Sequence, residues 1–207
     1  GGTEALDFAV RAVGEGARVR AVCVDPAGHP ALVSAAKALA RERSLPLTWL
    51  PLGRGGVWDV TLSPNGEWAV TAGNDHHVRV WDWQTGAQLY QVIEQPERVY
   101  SVDVSPSGDA ILTGGEDGLV RLYYASGDLQ NTFPAHQAAI HEVAFRPDGD
   151  AFASASQDGT LRIFHRARGT ESWHVEWPNQ DVSALAYSPN SDFLAVAVGG
   201  PSTTLYI

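Results

Sequence analysis

Apolar and polar residues alternate in short bursts along most of this chain. Between Trp58 and Trp83 the row reads "WDVTLSPNGEWAVTAGNDHHVRVWDW". Val60 and Leu62, Trp68 and Val70, and Val78 and Val80 mark three runs of period two, broken at "SPNGE" and at "GNDHH". Such alternation bounded by Pro, Gly, Asn and Asp predicts short antiparallel strands joined by tight turns. The polar knot "NDHH" stands out within it. It offers either a metal or catalytic site, or a device that holds a turn.

The same texture recurs. "VRAVCVDPAGHPALVSA" begins at Val19, "VWDVTLSPNGEWAVTAG" at Val57 and "VYSVDVSPSGDAILTGG" at Val99. "IHEVAFRPDGDAFASAS" begins at Ile140 and "VSALAYSPNSDFLAVAV" at Val182. Their prolines fall at Pro26, Pro64, Pro106, Pro147 and Pro189, spaced by 38, 42, 41 and 42 residues. A strand-rich period of about 40 residues predicts a β-propeller with one four-stranded antiparallel blade per period. The fold class is therefore all-β, with about five units, the first of them degenerate. Inner strands begin the five windows and second strands follow each Pro turn. Third strands are "HVRVWDW", "LVRLYY", "TLRIF" and "TTLYI"; outer strands are "AQLYQVIE", "DLQNTF" and "ESWHVEW".

At these residues the chain resembles the WD-repeat family, well over 55–207 and in part over 17–54. "SQDGTLRIFH" matches best, with "GNDHHVRVWD" and "GEDGLVRLYY" beside it. The family's naming dipeptide survives once, as Trp81-Asp82, and the Gly-His before the first strand only as Ala135-His136. The resemblance implies that Asp75, Asp117 and Asp158 hold the turn before each third strand. It also implies a buried network in which His136 donates to Asp158, with Ser154 bridging and Phe164 replacing the Trp that would close the chain. The knot then has a structural explanation. Asp75 accepts backbone N–H bonds across a tight turn, and Asn74 and His76 take turn positions. Adjacent His76 and His77 point opposite ways along a strand and do not converge on a metal.

The first 54 residues depart from the pattern. Leu32, Ala35, Ala36 and Leu39 are spaced for one face of a helix that Pro46 would stop. Two readings stay open. In one, residues 1–54 are a degenerate blade with "PLTWLPL" as its outer strand, and "ALDFAVRAV" supplies a strand that closes the ring. In the other, residues 1–52 resemble the opening of an α/β nucleotide- or S-adenosylmethionine-binding domain attached to the propeller. Gly1 and Gly2 would then approach a phosphate and Asp25 would bind ribose hydroxyls. The ring is either five blades or an arc of a larger propeller, and the lack of Met favours a segment of a longer reading frame.

Composition narrows the partners. A net charge of -10 with a single Lys among fourteen basic residues disfavours a nucleic-acid surface and favours a basic or neutral partner. Cys23 alone forms no intrachain disulfide. No run approaches a membrane span, so no membrane partner is expected and the location expected is cytoplasmic. No carboxylate pair, nucleophile motif, phosphate loop or metal cluster is apparent, so neither an enzyme nor a cofactor is expected. The expected function is a non-enzymatic platform for a protein or peptide partner. Carried over from the family, its rim residues are Arg20, Trp58, Tyr100, His141 and Ser183, at the start of the inner strands, with Asn74, Glu116 and Gln157 before the turn aspartates. Trp58 and Tyr100 are the preferred anchors.

Overall fold

A computed structural model describes residues 21–24, 47–50, 56–82, 85–89, 93–199 and 204–206. Among these residues there are strands and turns but no helix. The expected helix face at Leu32 to Leu39, the closing strand "ALDFAVRAV", and Gly1, Gly2, Asp25 and Arg20 all lie outside the described residues.

Three blades and part of a fourth follow in chain order. Blade I holds β3 (Val57–Leu62), β4 (Trp68–Gly73) and β5 (His77–Asp82), with an outer strand in two pieces, β6 (Ala87–Gln88) and β7 (Ile93–Glu94), both paired with β5. Blade II is β8 (Val99–Val104), β9 (Ala110–Gly115), β10 (Leu119–Tyr124) and β11 (Leu129–Pro134). Blade III is β12 (Ile140–Phe145), β13 (Ala151–Ser156), β14 (Thr160–His165) and β15 (Thr170–Glu176). The fourth unit has β16 (Asp181–Tyr187), β17 (Leu194–Gly199) and β18 (Thr204–Tyr206). Every pairing within these sheets is antiparallel. From Val57 onward, each expected strand has its counterpart among the described residues.

The turn chemistry explains why the strands stop where they do. In "SPNGE" the Ser63 hydroxyl accepts from the N–H of Trp68 at 3.0 Å, while Gly66 adopts φ 65°. Gly108 and Gly149 repeat that left-handed position at φ 72° and 79°, and Ser191 takes it at φ 64° in the fourth unit. Only residues tolerant of positive φ can sit there without a steric cost.

The core lies between blades rather than inside one. Val70, Val78 and Val80 of blade I pack on Val102, Ile111 and Tyr123 of blade II. Between blades II and III, Phe133 meets Phe152 edge-on at 5.1 Å, and within blade III Phe152 stacks on its cross-strand partner Phe164 at 5.3 Å. Burying each such side chain contributes about 1.5–3 kcal/mol, so each blade depends on its neighbours for stability. Ala153, Leu161 and Val196 continue the core into the fourth unit.

In a degenerate first blade, the strand around Cys23 would be innermost and "PLTWLPL" outermost, with other strands between them. Among the described residues, β1 (Ala21–Val24) pairs directly and in parallel with β2 (Leu47–Leu50), in a separate two-stranded sheet. Parallel neighbours need a crossover connection, whereas adjacent strands of a blade are joined by hairpins.

Candidate functional site

Each inner strand carries an irregularity at the same place. The β3–β4 register skips between Val57 and Asp59, and β8–β9 skips between Val99 and Ser101. β12–β13 skips between Ile140 and Glu142, and β16–β17 between Val182 and Ala184. The extra residues are Trp58, Tyr100, His141 and Ser183, which are four of the five expected rim positions. A bulge inserts a residue unpaired in the ladder and re-aims its side chain. Because equivalent bulges occur in successive blades, these side chains share one rim. Trp58 and Tyr100 touch there in a T-shape, ring centroids 5.6 Å apart at 89°. Trp58 remains 41% exposed despite this contact, and Tyr100 and His141 are half-buried.

Asn74, Glu116 and Gln157 join the same rim for a repeated reason. Their backbone N–H groups donate to the carbonyls of Gly56, Arg98 and Ala139, at 2.8, 2.9 and 2.9 Å. Each bond ties the turn after a second strand to the residue just before an inner strand, and the side chains stay exposed. Glu116 also faces Arg98 at 3.8 Å.

Under the rim lie the turn aspartates. Asp158 accepts from Thr160 N–H at 2.9 Å and from Gln137 N–H at 3.0 Å. His136, its side chain fully buried, places Nδ1 3.1 Å from Asp158 and Nε2 2.7 Å from the Ser154 hydroxyl. Burial lowers the His136 pKa below its ordinary value and outweighs the opposing pull of Asp158. The imidazole is therefore neutral, with Nδ1–H donating to the carboxylate and Nε2 accepting from Ser154. Burial pushes Asp158 upward, but bonds from Thr160 and Gln137 more than offset it, and the net shift is downward.

Blades I and II solve the same problem differently. Arg79 forks onto Asp75 at 2.7 and 3.2 Å, and Arg121 reaches Asp117 at 2.6 Å. Gln95, four residues before Val99 as His136 is four before Ile140, bonds Thr113 at 2.8 Å and accepts from Arg121 at 3.1 Å. Trp81 donates its indole N–H to Thr71 at 2.9 Å. Arg79 is thus a structural residue with only 15% of its side chain exposed.

The histidines of "NDHH" turn toward backbone acceptors. His76 Nδ1 lies 3.2 Å from the Pro96 carbonyl, and His77 Nδ1 bonds the carbonyl of Asp75. His76 adopts φ 65°, where the other repeats have Gly118 and Gly159 at 74° and 83°. Among the described residues, no three His, Cys, Asp or Glu side chains gather as a metal set.

Sequence reasoning missed a lateral set of bonds beside the bulges. Asp59 Oδ2 accepts from Ser101 Oγ at 3.0 Å and from Val102 N–H at 2.9 Å. Ser101 Oγ accepts from Val143 N–H at 3.2 Å, and Glu142 Oε2 from Leu185 N–H at 2.8 Å. The residue following each bulge thus caps a donor on the next inner strand, three times in register. Unpaired strand edges are a liability, and this caps them from inside the array. A polar residue follows Trp58, Tyr100 and His141 in the sequence, but nothing local marks its partner on the next inner strand.

Three stretches, 49–82, 87–123 and 127–165, match the family model of the WD domain, G-beta repeat, over more than half of the chain. The second and third begin at or just before an outer strand of one blade and end in the third strand of the next. That offset is the interlock seen at His136, which follows β11 of blade II and bonds Asp158 of blade III. No curated protein matches the chain.

Proposed function

Since the chain belongs to the WD-repeat family, whose repeats generally serve as protein-interaction scaffolds, we propose that it is a non-enzymatic platform whose partner docks on the bulged rim. The observation that carries this reading is the Trp58–Tyr100 pair, an exposed aromatic contact placed by backbone bulges. Aromatic anchors at a concave, rigid rim dominate the energetics of many interfaces. The partner is a protein or a peptide, and Trp58, Tyr100, His141, Ser183, Asn74, Glu116 and Gln157 form its footprint, with Arg20 as a further contact.

Site-specific photo-crosslinking tests this reading. A photoreactive amino acid replaces His141 in one protein and Ser107, in the turn at the opposite end of the strands, in another. The rim position should give a discrete adduct with a binding protein, and that adduct should disappear when Trp58→Ala is added. An adduct at position 107 and none at 141 would place the docking face elsewhere.

A second reading attaches the platform to an enzyme, with residues 1–52 as a nucleotide- or S-adenosylmethionine-binding piece. The parallel pairing of β1 with β2 favours it, since α/β nucleotide sites are built on parallel strands. Calorimetry of the chain with ATP and with S-adenosylmethionine would show saturable heat that Asp25→Ala removes. Flat titrations with both would remove this reading.

A further inference from the structure

The outer strand of each blade has one unpaired edge, and such an edge is a template for a further strand unless something blunts it. Among the described residues, the outer strands of blades I to III are blunted unequally. That of blade I is split into β6 and β7, each of two residues. β11 of blade II carries Pro134, which pairs with Leu119 in the register position that Glu176 holds opposite Thr160 in blade III. A proline has no N–H to offer a neighbouring strand. β15 of blade III runs for seven residues with no proline, and it is the outer edge of its sheet among the described residues.

The register says which groups that edge presents. Trp177 donates its N–H to the Gly159 carbonyl at 2.8 Å, and Val175 and Trp173 pair in step with Leu161 and Ile163. The backbone groups of residues 173, 175 and 177 therefore turn toward β14, and those of His174 and Glu176 turn outward. The register shifts at Ile163 and leaves Ser172 as an extra residue, so the regular part of the edge is confined to residues 173–176. On this part Trp173 is 53% exposed, while Val175 on the same face packs partly into the core shared with the fourth unit. His174 and Glu176 are exposed on the other face. Glu171 holds Nδ1 of His174 at 2.5 Å and Arg162 at 2.7 Å, which fixes the imidazole on the strand.

We propose that β15 pairs antiparallel with β15 of a second copy of this chain, about a two-fold axis at Val175. The edge is self-complementary in that register. His174 of one copy stands opposite Glu176 of the other, with their outward backbone groups bonded, and the two-fold axis repeats the pair. Val175 meets Val175, and the exposed face of Trp173 lies beside this apolar contact. Opposite-charge and β-branched pairs are favourable across antiparallel strands. Other axes are worse. One at His174 sets the imidazole against itself and draws the Ser172 bulge into the ladder, and one at Glu176 opposes two carboxylates. A ladder this short makes a reversible contact rather than an obligate one. It lies on the outer wall of blade III and leaves the rim free, so it stands independently of the proposed docking face.

Sedimentation equilibrium over a wide range of concentration tests the pairing, with a thermal melt of each variant to confirm folding. The chain should show a reversible monomer–dimer equilibrium. Glu176→Arg sets a guanidinium against His174 and should weaken the dimer about tenfold. Glu176→Pro places in blade III the residue of blade II, removes the outward N–H and should leave a monomer. The register itself is read by crosslinking in a Cys23→Ser background. Val175→Cys should give a disulfide-linked dimer under mild oxidation, because partners at a non-hydrogen-bonded site lie about 4.5 Å apart at Cα, within the reach of a disulfide. Thr132→Cys, on the outer strand of blade II, should stay monomeric. The arginine variant and the crosslink keep the test decisive should Glu176→Pro unfold. A chain that sediments as a monomer at every concentration would overturn the proposal. So would a dimer that keeps its full strength in Glu176→Arg and leaves Val175→Cys uncrosslinked, since the second copy would then sit elsewhere.

Discussion

At the scale of single residues, the turn and network positions behave as interchangeable solutions to a local problem. His136 is the clearest. Burial holds its imidazole below the ordinary value of 6.5, so the folded chain binds a proton less readily than the unfolded one. Between pH 6.5 and the lower folded value the unfolded state carries more protons, and stability there rises with pH. Acidification from pH 7 to 5.5 should therefore lower the melting temperature. His136→Gln, which places in blade III the residue type that blade II uses at Gln95, should flatten that slope. An unchanged slope in the variant would assign the pH response to other groups. The left-handed turn position makes a second test. A Cβ on Gly118, at φ 74°, would stand 2.5 Å from the His136 carbonyl oxygen, so Gly118→Ala should cost about 2 kcal/mol or more in urea melts. His76→Gly in the same place of blade I should instead be neutral or stabilise by up to about 1 kcal/mol. A large loss from His76→Gly would mean that the imidazole contributes more than a turn.

At the scale of elements, the strands were legible and their side-to-side bonds were not. Alternation and turn residues located the inner, second, third and outer strands from Val57 onward, because each depends on local sequence. Asp158, His136 and Ser154 were legible through their likeness to a known pattern. Gln95 was not, because an amide replaces the imidazole and only its spacing from Val99 marks it. Asp59 and Glu142 read in sequence as ordinary polar positions of an alternating strand. Their acceptors reach a donor 43 residues away, a relation that no local pattern records. The parallel register of β1 with β2 is equally non-local. Glu142→Ala should leave the Leu185 N–H without its acceptor and destabilise the chain by about 1–3 kcal/mol, while Glu142→Gln, which keeps an acceptor oxygen, should cost less. Chemical denaturation of the two variants checks this, and equal losses would show that the charge rather than the bond matters.

At the scale of the molecule, blades that share cores and lateral bonds make the rim a rigid composite. Trp58 and Tyr100 come from different blades, so their contact reports the packing of the array as well as its chemistry. That the rim positions coincide with bulges was not visible in sequence, since one extra residue in a strand leaves no signature in composition. The most direct measurement is a double-mutant cycle on the binding partner identified by crosslinking, using Trp58→Ala, Tyr100→Ala and the pair, with Ser107→Arg on the opposite face and Arg168→Ala at an exposed turn as controls. Calorimetry and thermal melting are read together. Each rim variant should weaken binding by about 2 kcal/mol with little change in melting temperature, the pair should lose less than the sum because the rings touch, and both controls should bind normally. Full affinity in Trp58→Ala and Tyr100→Ala together with a loss in Ser107→Arg would contradict the account and move the docking surface to the other face.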